Sequence, residues 1–314
     1  MVTLYVGTAG WSYPSGKGSW DGVFYPEKLA DRDKLAYYAQ YFDAVEINSS
    51  FYRPPNANVT RGWAGKVPDR FRFTAKLWQK FTHPKMFEET TGRAASLRDD
   101  DFQVFASGLE PLLLAGKLGA LLAQFQASFK AYDGALDYLT DLIRRFRGEG
   151  YPMAVELRHA GWSDPEQAGP AVRSLFEEER VAWVMIDEPK FRTSIGDVPV
   201  TSELGYFRFH GRNHAQWWHH EVAEDRYNYL YSVAEQRELT REVDAVSNQT
   251  GATYVFYNNH FRAKAVVNAL ELQAAHGIVA RQAPPDSLLA EYPRLTESLG
   301  EPGLREPRPN QAPR

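Results

Sequence analysis

The feature that most constrains this chain is a pattern of period two that recurs along it and ends in polar residues. Residues 154–158 read Ala-Val-Glu-Leu-Arg, so Val155 and Leu157 alternate with Glu156 and Arg158. Such alternation is typical of a β-strand whose two faces differ. Comparable stretches stand at 45–48, 73–76, 123–126 and 207–210. Five strands are therefore predicted to carry two polar residues on one face, just before the chain leaves the strand.

Around these stretches, eight β-rich segments alternate with segments of helical periodicity. Strands are predicted over residues 3–9, 44–48, 71–76, 120–125, 153–158, 182–187, 205–210 and 253–258. Helices are predicted over 31–42, 57–66, 99–115, around 136–146, over 165–180, before Gly251 and over 262–275. Residues 188–203 and 211–225 are predicted to be irregular insertions.

The strand count and the polar strand ends favour an α/β fold, a (β/α)8 TIM barrel. In that fold, packed side chains fill the barrel interior beneath the C-terminal mouth, and side chains from every strand meet at this mouth. We expect one domain over residues 1–278, with elaborated βα loops. A doubly wound open sheet is the alternative and predicts strands apolar on both faces, which fits 182–187 better than 153–158. Seven prolines follow Ala283, so residues 279–314 are predicted to be an extended or disordered Pro-rich tail.

Composition narrows the class of protein. Lysine and arginine total 36 against 40 acidic residues, a net charge of −4, which argues against nucleic acid held by bulk charge but leaves a local basic groove possible. The absence of cysteine excludes disulfides, thiolate nucleophiles and cysteine-ligated metals. No stretch approaches the roughly 20 apolar residues of a membrane span, and no signal peptide is recognised at the N-terminus. We expect a cytoplasmic protein with no membrane partner, and the pattern leaves its oligomeric state open.

Several longer stretches together resemble one known family. The motifs that carry the resemblance are 7–14 (GTAGWSYP), 24–26 (FYP), 45–53 (VEINSSFYR), 155–159 (VELRH), 208–212 (RFHGR) and 257–259 (YNN). In this order they are similar to the YecE-like family of TIM-barrel proteins, over roughly residues 3–275. The resemblance implies the barrel and gives weight to these strand ends, but it implies no reaction, since the family is a domain of unknown function. Residues 77–80, the surroundings of 217–220, and His260 depart from the family pattern, so ligand choice is expected to differ here.

Acidic and histidine side chains at the strand ends are the candidates for catalysis. Carboxylates under a barrel mouth can act as general acid and base when their surroundings separate their pKa values. The candidate catalytic residues are Glu46, Glu156, His159, Asp187 and His210. The alternative is structural, with Glu46 and Glu156 neutralising nearby cations. Together with His83 these residues also offer oxygen and nitrogen ligands for zinc or manganese, but the neighbouring cations disfavour a metal, and no metal site or cofactor is assigned.

Cationic and amide side chains at the same strand ends are the candidates for ligand binding. Arginine forks match carboxylate and phosphate oxygens, and barrels commonly hold phosphate in the loops after their last two strands. The candidate binding residues are Asn48, Arg53, Lys76, His83, Gln124, Arg158, Arg208, Arg212, Tyr257, Asn258 and Asn259. Arg208 is the expected partner of Glu156 across the barrel.

These residues predict an enzyme acting by acid/base chemistry on an anionic or polyhydroxylated small molecule at the barrel mouth. Two alternatives stay open at this level. A metal-dependent phosphodiesterase or nuclease requires at least three of the acids and histidines to converge at coordination distance. A non-catalytic ligand-binding protein is favoured if every carboxylate is held in a salt bridge.

Overall fold

A computed structural model describes residues 3–14, 16–217 and 223–300 of the chain. Its strands all pair in parallel in one sheet. They are β1 Thr3–Ala9, β2 Ala44–Ile47, β3 Arg72–Lys76, β4 Leu118–Gln124, β5 Met153–Glu156, β6 Ala182–Trp183, β7 Met185–Asp187, β8 Leu204–Phe209 and β9 Ala252–Tyr257. Within the described ranges, every helix is too short or too polar to traverse a lipid bilayer.

Helices connect the strands and surround the sheet. They are α1 Asp31–Tyr38, α2 Ser49–Tyr52, α3 Ala57–Ala64, α4 Gln79–Thr82, α5 Pro84–Thr91, α6 Asp99–Leu114, α7 Ala135–Gly148, α8 Gly169–Glu178, α9 Val233–Ser247, α10 Lys264–Ala275, α11 Asp286–Glu291 and α12 Arg294–Leu299. Short 3-10 helices lie at Ala160–Trp162, Ala223–Tyr227 and Phe261–Ala263. Helices α2, α4 and α5 follow β2 and β3 directly and form part of the elaborated loops that the sequence predicted.

The sheet closes on itself through the segment that the sequence predicts as one strand. The strand order is β6-β5-β4-β3-β2-β1-β9-β8-β7, and only Val184 separates β6 from β7. The Val184 N–H donates to the carbonyl of Val155, whereas the His210 N–H donates to the carbonyl of Asp187. One stretch therefore joins both edges of the sheet. This is the geometry of a (β/α)8 TIM barrel, and the predicted fold is confirmed.

Local sequence explains how individual elements form. Helix α7 buries Leu139, Leu142, Ile143 and Phe146 on one face, with the spacing of an amphipathic helix. Helix α9 begins at a capping box, in which the Ser232 hydroxyl accepts from the Glu235 N–H and the Glu235 carboxylate accepts from the Ser232 N–H. Local signals of this kind account for the good agreement between predicted and observed elements.

Side chains inside the barrel form a small core that supports the mouth. Alanines from four strands face aromatic residues from β8 and β9: Ala44, Ala120, Ala154, Ala182, Tyr206, Tyr254 and Phe256. A Cβ at Gly119 would lie 2.5 Å from the Tyr254 hydroxyl oxygen, so glycine leaves room for this ring. All these strand positions except Gly119 are even-numbered, and the same phase continues upward into the polar residues of the mouth.

The C-terminal segment differs from the prediction of an extended or disordered tail. Residues 286–299 contain helices α11 and α12, in which Leu288 and Leu295 are fully buried. Pro285 and Pro293 stand just before the two helices, where proline is tolerated. The prolines of this segment lie at the starts of helices and not in an extended chain, so the prediction was wrong for residues 286–299. Residues 301–314 of the predicted tail lie outside the described part of the chain.

Candidate active site

The C-terminal ends of the strands place a polar layer on the inner face of the barrel. Because side chains alternate along a strand, the residues that follow the inner core in phase also point inward. The predicted residues that continue this phase are Glu46, Asn48, Lys76, Gln124, Glu156, Arg158, Arg208, His210 and Asn258. The structure thus brings nine of the predicted site residues together at one mouth.

Arg208 lies at the centre of this layer and is 1% exposed. Its Nε and Nη2 donate to Glu46 Oε2 and Oε1, at 3.0 and 2.7 Å. Its Nη1 donates to Glu156 Oε2 at 2.5 Å and to Gln124 Oε1 at 2.9 Å. The expected pairing of Glu156 with Arg208 is confirmed. Arg208 therefore links four strands, β2, β4, β5 and β8, across the barrel.

A second guanidinium extends the layer towards the cavity. Arg158 Nε and Nη2 both lie 2.6 Å from Glu156 Oε1. Its Nη1 lies 3.1 Å from Glu188 Oε2, without the alignment of a hydrogen bond. Burial tends to raise the pKa of Glu156, but the charges of Arg158 and Arg208 outweigh this and hold it well below its ordinary range. Glu156 is therefore an ionised partner of two arginines and is poorly suited to accept protons.

His210 is held between Arg158 and Asn258. Arg158 Nη2 lies 3.1 Å from His210 Nε2, and Asn258 Nδ2 lies 3.0 Å from His210 Nδ1. A guanidinium can only donate, so we assign Nε2 as the acceptor and Nδ1 as protonated, which requires the Asn258 amide to be flipped so that its oxygen replaces Nδ2 as the partner of Nδ1. Burial, followed by the charges of Arg158 and Arg208, lowers the pKa of His210 well below its ordinary value. The imidazole is therefore neutral at neutral pH.

Lys76 enters the same layer from the end of β3. Its ammonium lies 4.5 Å from the centroid of the Phe51 ring. Within the described ranges, no carboxylate lies within ion-pairing distance of it. Burial, assisted by the charge of Arg208, lowers the pKa of Lys76 to about 8, while the charge of Glu46 acts in the opposite direction. This amine therefore titrates close to physiological pH.

A cavity of about 420 Å³ opens above the polar layer. Aromatic residues form its walls, with Tyr13 stacked on His260 at 4.2 Å between ring centroids and Tyr52 left 69% exposed at the rim. Asn48, Gln124 and Asn258 add amide groups to the lining. The charged residues of the lining, among those the structure describes, are all cations: Lys76, Arg158, Arg208 and Arg226.

Two predicted site residues, one at the end of β7 and one just after β8, lie elsewhere. Asp187 accepts from Arg212 Nε at 2.9 Å and Nη2 at 2.6 Å, and from the Tyr231 hydroxyl at 2.7 Å. Asp187 borders a different cavity, of about 540 Å³, between α8, α9 and strands β7 and β8. The placement of Asp187 and Arg212 at the mouth was wrong, because residue 187 is out of phase with the inward-facing positions 182, 184 and 186.

The last strand shows the same effect of phase. Asn258 lines the cavity, whereas its two predicted neighbours face the surrounding helices. The Tyr257 hydroxyl donates to Gln236 Oε1 at 2.6 Å, and Asn259 Nδ2 donates to Asn268 Oδ1 at 2.8 Å. The prediction that Tyr257 and Asn259 bind the ligand directly does not fit these positions.

Three further candidates lie outside the cavity lining. His159 caps the 3-10 helix after β5, where its Nδ1 accepts from the Gly161 N–H at 3.1 Å. Arg53 is exposed at the end of α2. His83 is buried behind Phe51, and burial, assisted by the charge of Lys76, lowers its pKa to about 4. The charge of Lys76 therefore couples His83 to the mouth.

Sequence reasoning missed two residues of the site. Glu188 is 7% exposed and reaches Arg158 from the end of β7, and the inward phase of 182, 184 and 186 would have found it. Burial raises the pKa of Glu188. The charge of Arg158 lowers this pKa, and the charge of Glu156 raises it further. Arg226 lies 5.4 Å from the Trp217 ring centroid and comes from the insertion after β8. No periodic signal in the sequence points to Arg226.

A metal centre was one alternative at this mouth. In the described ranges, no group of three or more histidine, aspartate or glutamate side chains is arranged to hold a metal ion. Residues 218–224 of the insertion, which include the possible metal ligands His219, His220, Glu221 and Glu224, lie outside the part of the chain whose side chains are described. The convergence that a metal-dependent phosphodiesterase requires is therefore not seen at the Arg208 layer.

Comparison with known proteins identifies the family. The family model described as "Protein of unknown function DUF72" matches residues 5–291. The chain belongs to this family. Its relatives include UPF0759 protein YunF of Bacillus subtilis, 26% identical over 280 residues that cover 86% of this chain and 93% of YunF. UPF0759 protein YecE of Escherichia coli K12 is 29% identical over 158 residues, which span 50% of this chain and 48% of YecE.

Solved structures of the family support the same fold. A DUF72 family protein from Thermotoga maritima (TM1631) is 33% identical, with a TM-score of 0.73 over 88% of this chain and 99% of that one. A DUF72 family protein from Enterococcus faecalis (EF0366) is 26% identical, with a TM-score of 0.76 over 88% and 96% of the two chains. The predicted resemblance to YecE-like barrels is confirmed, and the family carries no assigned reaction.

Proposed function

We propose that this protein is an enzyme that binds a small carboxylated or phosphorylated molecule in the cavity at the barrel mouth. The observation that carries the proposal is the charge of the lining, which presents cations to the cavity while its acids, Glu46, Glu156 and Glu188, lie beneath them. The amide groups of the wall complement these cations, because they can donate to oxyanions and hydroxyl groups.

The arginines and the remaining cations contribute differently to this proposal. Arg158 and Arg208 each contact two carboxylates of the protein, so much of their charge is already neutralised. Lys76 and Arg226 form no ion pair among the described residues, and the buried Nε of Arg226 has no hydrogen-bond partner there. A bound oxyanion would gain about 1.5–3 kcal/mol for each charge-assisted hydrogen bond it makes with them.

The same geometry reassigns the acid/base role. Glu46 and Glu156 are locked on arginines, and His210 is held neutral between Arg158 and Asn258. Lys76 is the lining group whose pKa of about 8 suits proton transfer near neutral pH. We therefore propose Lys76 as the acid/base group and the arginine–carboxylate layer as its rigid support.

One observation favours a second candidate, a ligand-binding protein without turnover. Both Glu46 and Glu156, the strongest catalytic candidates in the sequence, are fully buried in salt bridges. A receptor would need the same cavity and charge but no proton-transfer group. The two candidates differ in the fate of the ligand, which proton NMR of the bound molecule after long incubation would reveal.

Anion binding is tested by thermal unfolding with phosphate, sulfate or citrate, each against chloride at constant ionic strength. Binding to the folded state raises the melting temperature by about 2–4 °C for each kcal/mol gained. Lys76→Met and Arg226→Gln should remove most of the gain. Lys85→Gln, which deletes a charge that is 83% exposed on α5, should retain it.

Two outcomes would contradict the proposal. No stabilisation by any of the anions would remove the basis for an anionic ligand. Equal loss of stabilisation in Lys85→Gln would assign the effect to general screening of the protein's charge. A chelator added to parallel samples should leave the anion effect unchanged.

A further inference from the structure

Lys76 differs from the other cations of the inner layer in its pairing. Arg208 holds Glu46 and Glu156, and Arg158 holds Glu156 and Glu188. No carboxylate in the described part of the chain ion-pairs with Lys76, whose ammonium instead lies over the Phe51 ring. A lysine used only as a structural charge would be expected to contact one of the three acids nearby. Lys76 is instead one of the residues that line the cavity.

Charged groups face this amine from several elements. They are Glu46 on β2, Glu156 and Arg158 at the end of β5, Arg208 on β8, and His83 after β3. The acids are already paired with the guanidinium groups of Arg158 and Arg208, and the burial of the site disfavours a further positive charge. A lysine beside other cations in a partly buried site has more of the neutral, nucleophilic amine at neutral pH. This placement suits attack on an electrophilic carbon better than it suits a fixed ion pair.

We propose that Lys76 forms an imine with the carbonyl carbon of a small oxo acid bound in this cavity. The inference rests on the proposed anionic ligand and names its class, a carboxylate that also carries an aldehyde or ketone. It replaces the proton-transfer role proposed above for Lys76 with a covalent one. Arg226 and the amides of Asn48 and Asn258 remain on the lining to bind the carboxylate. The carbonyl end of the same molecule would then meet the amine, since the cavity of about 420 Å³ suits a compact ligand.

The chemistry balances without any further reactant. The neutral Lys76 amine adds to the carbonyl carbon, forming a carbon–nitrogen bond as the carbonyl oxygen takes up a proton. The resulting carbinolamine breaks its carbon–oxygen bond and releases water. One proton from solvent is consumed overall when the product is the protonated imine. Neighbouring guanidinium groups favour the neutral amine before attack. They also disfavour the positive charge of the protonated imine, but the negative charge of the ligand's carboxylate offsets this effect.

The test is reductive trapping of the full-length native protein. Glyoxylate or pyruvate is added at pH 7.5 with cyanoborohydride, which reduces an imine to a stable secondary amine. Peptide mass spectrometry should locate one N-carboxymethyl or N-carboxyethyl group on Lys76. Its formation should be about ten-fold faster than on exposed Lys85, because the reacting species is the neutral amine. Acetaldehyde, which lacks a carboxylate, should label Lys76 at least about ten-fold more slowly than glyoxylate.

Two substitutions separate the amine from its charge. Lys76→Arg keeps a cation but removes the primary amine, so it should abolish the adduct while keeping most of the anion-dependent rise in melting temperature. Lys76→Met should abolish both. Circular dichroism and the melting temperature in chloride report whether each variant is folded. The comparison of labelling at Lys76 and Lys85 is made in the wild-type protein and does not depend on any variant.

The possible failures are distinguishable. If anions stabilise the native protein but Lys76 is labelled no faster than Lys85, the imine is overturned and the anion site stands. If acetaldehyde labels Lys76 as fast as glyoxylate, and anions do not compete, the amine is reactive but the proposed anionic ligand is wrong. Selective labelling by the oxo acids, with competition by citrate or phosphate, supports both.

Discussion

The inner and outer faces of strands β7 to β9 both end in polar groups, but the two sets have different surroundings. On the inner face, Arg208 and Asn258 lie below an open cavity. On the outer face, Asp187 is bound by Arg212 and Tyr231, and Asn259 is bound to Asn268 of α10. Outer groups therefore join the barrel to its helices. Polar groups border a cavity on both faces, so the pairing of their charges is what distinguishes a candidate site.

The two sets also differ in how completely their charges are paired. Arg212 lies within 4 Å of Asp187, Glu235 and Glu238, so acids outnumber this cation. The inner layer has three cations, Lys76, Arg158 and Arg208, for three acids, but Lys76 takes no share in the pairing. The acids around Arg212 already neutralise it without a ligand, whereas the inner layer leaves an amine that pairs with no carboxylate among the described residues.

The largest expected effect comes from replacing the central arginine of each face with methionine. Arg208→Met leaves Glu46 and Glu156 without their shared partner and should lower the free energy of unfolding by about 3–5 kcal/mol. Arg212→Met should cost about 1–2 kcal/mol, because the Arg212 side chain is 27% exposed and its acids can be hydrated. Urea unfolding at pH 7 measures both. Similar losses in the two variants would break the distinction between the faces.

A smaller effect tests the pairing within the inner layer. Glu156→Gln should lower the free energy of unfolding by about 2–4 kcal/mol at pH 7, since the amide leaves two guanidinium groups less well neutralised. The folded-state pKa of Glu156 is depressed, so its contribution is present above its unfolded pKa of about 4.5 and is lost as the pH falls through the folded value.

Wild type and Glu156→Gln should therefore converge in stability when urea unfolding is repeated at decreasing pH below about 4.5. A difference that stays constant from pH 7 to pH 3 would show that Glu156 contributes through packing and not through its charge.

The smallest effect has the opposite sign. The folded-state pKa of Glu188 is raised by burial, so the stability it contributes is full below the unfolded pKa and is lost as the pH rises through the folded value. Glu188→Gln should therefore gain stability relative to the wild type as the pH rises from 4 to 8, by less than about 1 kcal/mol. Urea unfolding at matched pH values measures this gain. A loss at pH 8 would mean that the contact with Arg158 outweighs the burial of Glu188.

Much of this architecture is encoded locally. The alternation of residues such as Val155 and Glu156 predicted the strands, and the helical spacing of Leu139, Leu142 and Phe146 predicted α7. These signals survive because each depends on neighbours within one or two turns of chain. The same reasoning placed Glu46, Gln124 and Arg208 at one mouth, because parallel strands in a closed barrel end on the same side.

Errors in the site arose where a one-residue shift changes the face. The sequence determined that polar residues end the strands, but the barrel geometry decided that Glu188 and Asn258 face inward and that Asp187 and Asn259 face outward. A shift of one residue reverses every side chain of a strand, and residues 182–186 are apolar on both faces, which makes their phase hard to read from the sequence. The pairing of Arg208 with Glu46, 162 residues away, and the isolation of Lys76 depend on closure of the barrel. Such contacts leave no local signal, so only the tertiary structure shows them.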